Sequence, residues 1–238
     1  METTVVRQSS GFNLPRYLSM QPLFQEMNAA ELSRLATGCT LRRLARGEMV
    51  FRVGEPCEAF HVAVTGQVKL FAISPAGAEK VIELVGPGQS FAEALMFTGR
   101  PYIVNAQALA DSLVLSISKA AVLTEIEQDP RFALRMLAGI SRRLHGLVHD
   151  VQSYALHSGL QRVIGYLLRD QTAEDCVSGE VITISLPVSK ATIASRLSLT
   201  PEYFSRVLHE LEDAGLVRID KRDVHILDVQ ALARYQPS

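Results

Sequence analysis

Cysteine is scarce in this chain. Cys39, Cys57 and Cys176 are the only three in 238 residues, too few and too scattered for a disulfide framework. No pair has the CxxC spacing of a structural zinc site. Net charge is lacking too: 24 Lys and Arg stand against 25 Asp and Glu, a formal balance of -1. Such a molecule does not coat a polyanion by bulk charge. Long apolar runs are missing as well. The most apolar stretch, 103–117, is interrupted by Asn105, Gln107 and Asp111 and falls short of the ~20 residues that a spanning helix needs. The first ten residues have no basic start followed by an apolar core, so no signal peptide and no membrane partner are expected, and the reading is of a cytoplasmic protein. Nucleophile elbow, P-loop, HExxH and Rossmann glycine patterns are absent, which argues against an enzyme. What is there, 47% hydrophobic and 21% charged residues, is the composition of a globular protein of one large domain or two ordinary ones.

The texture changes along the chain. Residues 1–16 are polar and aperiodic, the expectation for a flexible tail. A short helix is expected around 22–35, with Leu23, Phe24, Met27, Leu32 and Leu35 as its apolar contacts. From about 38 to 118, short Val-, Ile- and Phe-rich runs alternate with Gly47, Gly54, Gly66, Gly77 and the cluster Gly86-Pro87-Gly88. Turn signals every 7 to 12 residues predict many short strands closed into a barrel or roll. At Asp129-Pro130 the pattern becomes helical: Asp129 suits an N-cap, and Pro130 suits the first turn because its missing N–H would be unpaired anyway. Ala133, Leu137, Ile140, Leu144, Leu147, Val151 and Tyr154 then recur at steps of four and three. This 3.5-residue period predicts a helix seam, and a second copy of the chain is the expected partner along it. The expected division is thus a tail over 1–16, a β-roll over 17–128, a dimerisation helix over 129–156 and a DNA-binding domain over 157–238.

The last fifty residues read as helix over 187–197, a turn at Ser198-Leu199, a second helix from Thr200-Pro201 to Ala214-Gly215, and a hairpin with a charged turn at 220–223. That order is a winged helix-turn-helix. On its second helix, Phe204, Val207, Leu208 and Leu211 form one apolar face. Glu202, Ser205, Arg206 and His209 form another, with base-reading side chains concentrated in the N-terminal turns, as in a helix that enters the major groove. Arg206 can pair with guanine O6 and N7, and Glu202 can accept from a cytosine amine; each good pair is worth about 1–3 kcal/mol of discrimination. Thr200, Ser189, Lys190, Thr192 and Arg196 are candidate phosphate contacts that set register. From Leu160 to Ser238 there are 9 Lys and Arg against 11 Asp and Glu, so affinity is expected from two half-sites and a few specific pairs.

Gly47-Glu48-Met49-Val50-Phe51-Arg52-Val53-Gly54-Glu55, Thr65-Gly66-Gln67-Val68-Lys69-Leu70, Gly77-Ala78-Glu79-Lys80 and Gly88-Gln89-Ser90-Phe91-Ala92-Glu93-Ala94-Leu95-Met96-Phe97 carry a resemblance over almost the whole chain. It resembles the CRP/FNR superfamily of bacterial transcription regulators, nearest its Dnr/FNR-type branch. The resemblance implies an α+β protein: a cyclic-nucleotide-binding-type β-roll, a long dimerisation helix and a C-terminal winged helix-turn-helix. Glu202-Tyr203-Phe204-Ser205-Arg206 matches the E-x-x-S-R pattern of that branch and implies a palindrome of TTGAT-like half-sites. Double-stranded DNA, a second copy of the chain and RNA polymerase are the implied partners.

For the effector, the resemblance points to Phe91, Glu93, Leu95, Tyr102 and Ile103. Family members that bind cyclic nucleotides carry an Arg-Ser or Arg-Thr pair where Tyr102-Ile103 stands, and Ala92 replaces their glycine. Without that arginine a buried phosphate has no counter-charge, so a cyclic nucleotide is not expected. An iron–sulfur cluster is excluded by cysteine count, since none precedes Cys39. What the Dnr-type resemblance leaves is haem with nitric oxide as the signal. No metal ligand set stands out: His145 and His149, spaced i, i+4, read as surface residues, and His61 as a barrel residue. The alternatives are a cyclic-nucleotide-responsive regulator of the cyclic-AMP receptor type and a regulatory binding module that does not bind DNA.

Overall fold

The computed structural model describes residues 5–6, 12–169 and 181–236, and the chain divides into two compact units, 1–146 and 147–238. In the first unit, strands β1 (Val5–Val6), β2 (Cys39–Leu44), β4 (Ala59–Thr65), β7 (Ser90–Phe91) and β9 (Ser112–Ser118) form one antiparallel sheet in the order β1-β2-β9-β4-β7. A second sheet orders β3 (Met49–Phe51), β8 (Asn105–Ala108), β5 (Val68–Ile73) and β6 (Glu79–Val85) as β3-β8-β5-β6, again antiparallel. This is the expected β-roll. Phe60, Phe91, Val114, Leu115 and Ile117 are fully buried in its core. One turn shows why a glycine stands in Thr65-Gly66-Gln67: φ is +79°, and a Cβ there would lie 2.6 Å from the Asp111 carbonyl.

Helices α1 (Leu14–Ser19), α2 (Ala29–Thr37), α3 (Glu93–Thr98) and α4 (Lys119–Gln128) decorate the roll, and α5 (Pro130–Leu156) begins on it. Phe24 lies 6.5 Å from Phe60 and 6.0 Å from Phe132 of α5, tying the helices to the β core through apolar contact. Two expectations change here. The helix expected at 22–35 starts only at Ala29, because Asn28 and Glu31 form a reciprocal capping box that fixes the first turn. The tail expected over 1–16 is partly structured: Val5–Val6 pairs with Leu41 and Arg42, and Asn13 caps α1 at Leu14.

The second unit contains α6 (Gly159–Leu168), β10 (Ile182–Ser185), α7 (Lys190–Arg196), α8 (Pro201–Asp213), β11 (Val217–Asp220), β12 (Asp223–Ile226) and α9 (Val229–Arg234), with sheet order β10-β12-β11. The hairpin β11–β12 and the helix pair α7–α8 match the winged helix-turn-helix expectation. Strand β10 adds a third member that its sequence hid: Ile182-Thr183-Ile184-Ser185 is short, and its isoleucines are only half-buried. The loop expected at 170–179 lies outside the described residues. Helix α7 is shorter than the expected 187–197, since Ser189 accepts from the Thr192 N–H and sets its start. Among the described residues no helix is long and apolar enough to cross a membrane.

Candidate effector region and DNA interface

The effector residues expected in the β-roll differ in burial: Phe91, Glu93 and Tyr102 are buried, Leu95 is half-buried and Ile103 is exposed. Tyr102 is buried and stacks on Phe51, ring centroids 3.6 Å apart and nearly parallel. His61, on β4, lies 5.2 Å from the Phe91 ring and bonds both Tyr102 Oη (3.1 Å) and Ser116 Oγ (2.9 Å), its cross-strand neighbour. The Tyr102 hydroxyl donates to the Ala59 carbonyl at 2.9 Å, so its oxygen accepts from His61 Nε2–H, and Nδ1 accepts from Ser116. Burial, helped by the Arg42 cation, pushes the His61 pKa down to about 3, which keeps the ring neutral. Leu95 is half-buried against the core, while Ile103 is 65% exposed and stands apart from the cluster. Tyr102 is thus the buried member of the pair, and Ile103 beside it faces solvent.

Glu93 is buried at the first turn of α3, and its charge is answered from inside the unit. Arg143 of α5 donates to its carboxylate and to the Ser90 carbonyl, and pairs with Glu83 at 3.2 Å; the Ser90 hydroxyl also donates to Glu93. A fork-shaped guanidinium with three oxygen partners is a strong arrangement. Sequence reasoning placed Arg143 off the helix seam and missed this role. Its signal was weak: one arginine some 50 residues beyond its partners. Ahead of Glu93, Ala92 adopts φ 68°, ψ 13°, the left-handed conformation in which family members carry glycine.

Haem needs an axial ligand, and the described histidine and cysteine side chains of the roll are each buried or already engaged. Both His61 nitrogens are engaged, Cys57 is buried with its thiol pushed up by burial, and Cys39 donates to the Leu35 carbonyl with its pKa raised to about 12. Among the described residues no group of three or more His, Cys, Asp or Glu is arranged to hold a metal ion. His145 and His149 are exposed.

On α5, Leu137 and Leu144 are each 57% exposed, Val151 65% and Leu147 38%, alongside exposed Leu134 and Val148. Ile140 is half-buried. Tyr154, also of the seam, is half-buried, and its hydroxyl donates to the Arg196 carbonyl at 2.6 Å. The Arg196 side chain returns to Tyr154 Oη at 2.6 Å and to Asp150 at 2.5 Å. Arg196 therefore faces the end of α5 in this structure and is not presented to a phosphate.

Helix α8 is built as its sequence predicts. Thr200 caps it, accepting from the Tyr203 N–H at 3.2 Å, and Pro201 opens its first turn. Phe204, Val207, Leu208 and Leu211 are fully buried, which forces Glu202, Arg206 and His209 outward, where all three are exposed; Ser205 is half-buried between them. His209 lies 3.6 Å from Glu212. Ser189 spends its oxygen on the α7 cap, and Lys190 beside it is half-buried. The turn between α7 and α8 is clamped by Arg162 of α6, which donates to the carbonyls of Leu197 (2.6 Å) and Ser198 (3.3 Å).

Two domain families match the chain. The cyclic nucleotide-binding domain family matches residues 41–129, and the Crp-like helix-turn-helix domain family matches residues 161–235. The chain is 30% identical to a putative cyclic nucleotide binding protein of Ruegeria pomeroyi, over 92% of this chain and 95% of that one, with a TM-score of 0.60. It is 35% identical to the sensor domain of the transcriptional regulator DNR of Pseudomonas aeruginosa, covering 56% of this chain and 90% of that one, with a TM-score of 0.51. Over 217 residues, 91% of this chain and 97% of the other, it is 23% identical to the CRP-like cAMP-activated global transcriptional regulator of Mycobacterium tuberculosis. The Pseudomonas aeruginosa and Mycobacterium tuberculosis relatives are transcriptional regulators, and the chain belongs to the CRP/FNR family of DNA-binding transcription regulators.

Proposed function

We propose that this protein acts as a homodimer that reads a two-fold-symmetric DNA site of TTGAT-like half-sites, under control of a signal received by the β-roll. The observation that carries the reading is α8, whose buried apolar face leaves Glu202, Arg206 and His209 exposed in the helix-turn-helix frame. The exposed Leu137, Leu144, Leu147 and Val151 support pairing through α5, since apolar side chains spaced along a helix are costly to leave in water. RNA polymerase belongs to the proposal as the partner through which a bound regulator changes transcription.

The signal in this reading is not a cyclic nucleotide. Tyr102, stacked on Phe51, stands where a phosphate would need a cation, and Glu93 is already paired with Arg143. Cyclic AMP, the activator for which the Mycobacterium tuberculosis relative is named, is the second reading. Calorimetric titration of the full chain with cyclic AMP separates them: the proposal expects no saturable heat. Haem-borne sensing of nitric oxide has its own check, the Soret band of protein reconstituted with haem; with His61 engaged, no saturable band is expected.

The test of DNA reading is selection of a site from random duplexes by the parent protein, followed by titration of Arg206→Ala. The variant is expected to lose preference at one base pair of each half-site, by about 5- to 150-fold, the equivalent of 1–3 kcal/mol. Equal binding of parent and variant to the selected site and to scrambled DNA would overturn the proposal.

A further inference from the structure

Arg206 is a long, exposed side chain, and a bidentate pair with a guanine edge demands that its guanidinium be held in one plane. Left to itself, it samples many rotamers, and ordering them on binding weakens discrimination. In this structure it is not left to itself. Its Cζ lies 4.8 Å from the centroid of the Tyr203 ring, within the range in which a guanidinium stacks on an aromatic face. Tyr203 precedes Arg206 by three positions, so the two are neighbours on the surface of α8.

Tyr203 is itself fixed from behind. Gly159, the first residue of α6, meets the ring so closely that a Cβ there would come to 2.5 Å of one ring carbon and 2.8 Å of the hydroxyl oxygen. The start of α6 is in turn pinned by Ser158, whose hydroxyl accepts from the Gln161 N–H while the Gln161 side chain accepts from the Ser158 N–H. Arg162, one turn further along α6, grips the Leu197 and Ser198 carbonyls of the turn that leads into α8. One helix thus holds both the turn before the recognition helix and the ring beside its arginine.

We propose that Tyr203, seated on Gly159, is a positioning residue for base reading: its ring fixes the plane in which Arg206 meets DNA. The inference rests on the base-reading role of Arg206 proposed above. It adds a specificity determinant that does not itself contact a base edge, and it assigns a reason for a glycine at 159.

The experiment uses the full chain, the duplex selected by the parent protein, and its single-base-pair variants, titrated at low salt by fluorescence anisotropy. Tyr203→Ala is expected to lose about 2- to 10-fold of preference at the same base pair that Arg206→Ala relaxes, with the other positions unchanged. Gly159→Ala, which displaces the ring, is expected to follow Tyr203→Ala, while Tyr203→Phe retains the parent preference because the stacking face is kept. A loss spread equally over all base pairs would show a merely structural role and overturn the proposal. Unchanged discrimination in Tyr203→Ala would overturn it too. If Arg206→Ala leaves every preference intact, the base reading fails first and takes the positioning role with it.

A DNA-free readout makes the proposal independent of folding of the alanine variant and of any effector that DNA binding requires. In parent and Tyr203→Phe, the Arg206 side-chain protons are expected to show upfield ring-current shifts in the NMR spectrum. Random-coil shifts for Arg206 in the parent would overturn the stacking on which the proposal stands.

Discussion

Around residues 90–93 of the β-roll, polar groups close on one another: Glu93 and Glu83 take the Arg143 guanidinium, Ser90 adds its hydroxyl and carbonyl, His61 donates to Tyr102 and accepts from Ser116, and Tyr102 donates to Ala59. On α8 the opposite holds, with Glu202 and Arg206 directed outward from a fully buried apolar face. The first region resembles a site whose ligand has been replaced by the protein's own side chains, and the second a site whose bonds wait for a partner. The difference teaches where binding free energy comes from. A ligand entering the roll must compete with an arginine already holding three oxygens, whereas DNA meeting α8 displaces mainly water.

The largest expected effect tests that contrast directly. Arg143→Ala strands Glu93 as a buried carboxylate without its counter-charge, and is expected to cost about 3 kcal/mol in urea melts of the full chain. Glu202→Ala, equally a change of one charged side chain, is expected to stay within about 0.5 kcal/mol of the parent because its side chain is exposed. Lys at 143 restores charge but not the fork, so only part of the loss returns. Equal costs for Arg143→Ala and Glu202→Ala would erase the distinction between a self-filled and an open region.

A second expectation concerns pH. The His61 pKa falls to about 3 in the folded roll, from about 6.5 in an unfolded chain. The unfolded state therefore binds a proton that the folded state refuses. The associated stability is fully present above pH 6.5 and is lost as pH falls from there toward 3, by up to about 1.4 kcal/mol per pH unit. His61→Gln is expected to flatten this slope between pH 6.5 and 4.5, whatever it does to stability at neutral pH. An unchanged slope would show that the roll opens to water at this position.

The same contrast explains what is legible in the sequence alone. Helix α8 was legible to its cap and its buried face, because Thr200, Pro201 and the spacing of Phe204, Val207, Leu208 and Leu211 are local signals. The roll was legible as a set of strands, through glycines whose left-handed φ the turns require. Its polar interior was not. Arg143 and Glu93 are 50 residues apart, and nothing in either neighbourhood announces that a helix returns to supply the charge. The family pattern points to both Tyr102 and Ile103 for the effector, and the pattern alone does not tell that Tyr102 is buried while Ile103 is exposed. Helix position alone makes Arg196 a phosphate candidate, whereas in the structure it turns to Asp150 and Tyr154.

The smallest expected effect compares how the two regions start their helices. Thr200 enters α8 with extended backbone, φ -79° and ψ 153°, and its side chain satisfies the Tyr203 N–H. Ala92 enters α3 in the left-handed region at φ 68°, with no side-chain cap bond, just before the buried Glu93. An L-residue with a Cβ pays about 1–2 kcal/mol for that conformation, and glycine gives back part of the difference through its freer unfolded chain. Ala92→Gly is therefore expected to stabilise the chain by about 0.5–1 kcal/mol, a rise of about 1–4 °C in the melting temperature of the roll. Replacing Thr200 by alanine runs the other way, losing about 1 kcal/mol with its cap. A melting temperature that falls in Ala92→Gly would mean that the left-handed turn relaxes in solution. The Ser90–Glu93–Arg143 closure would then have to form without the backbone bend that presents Glu93 to it.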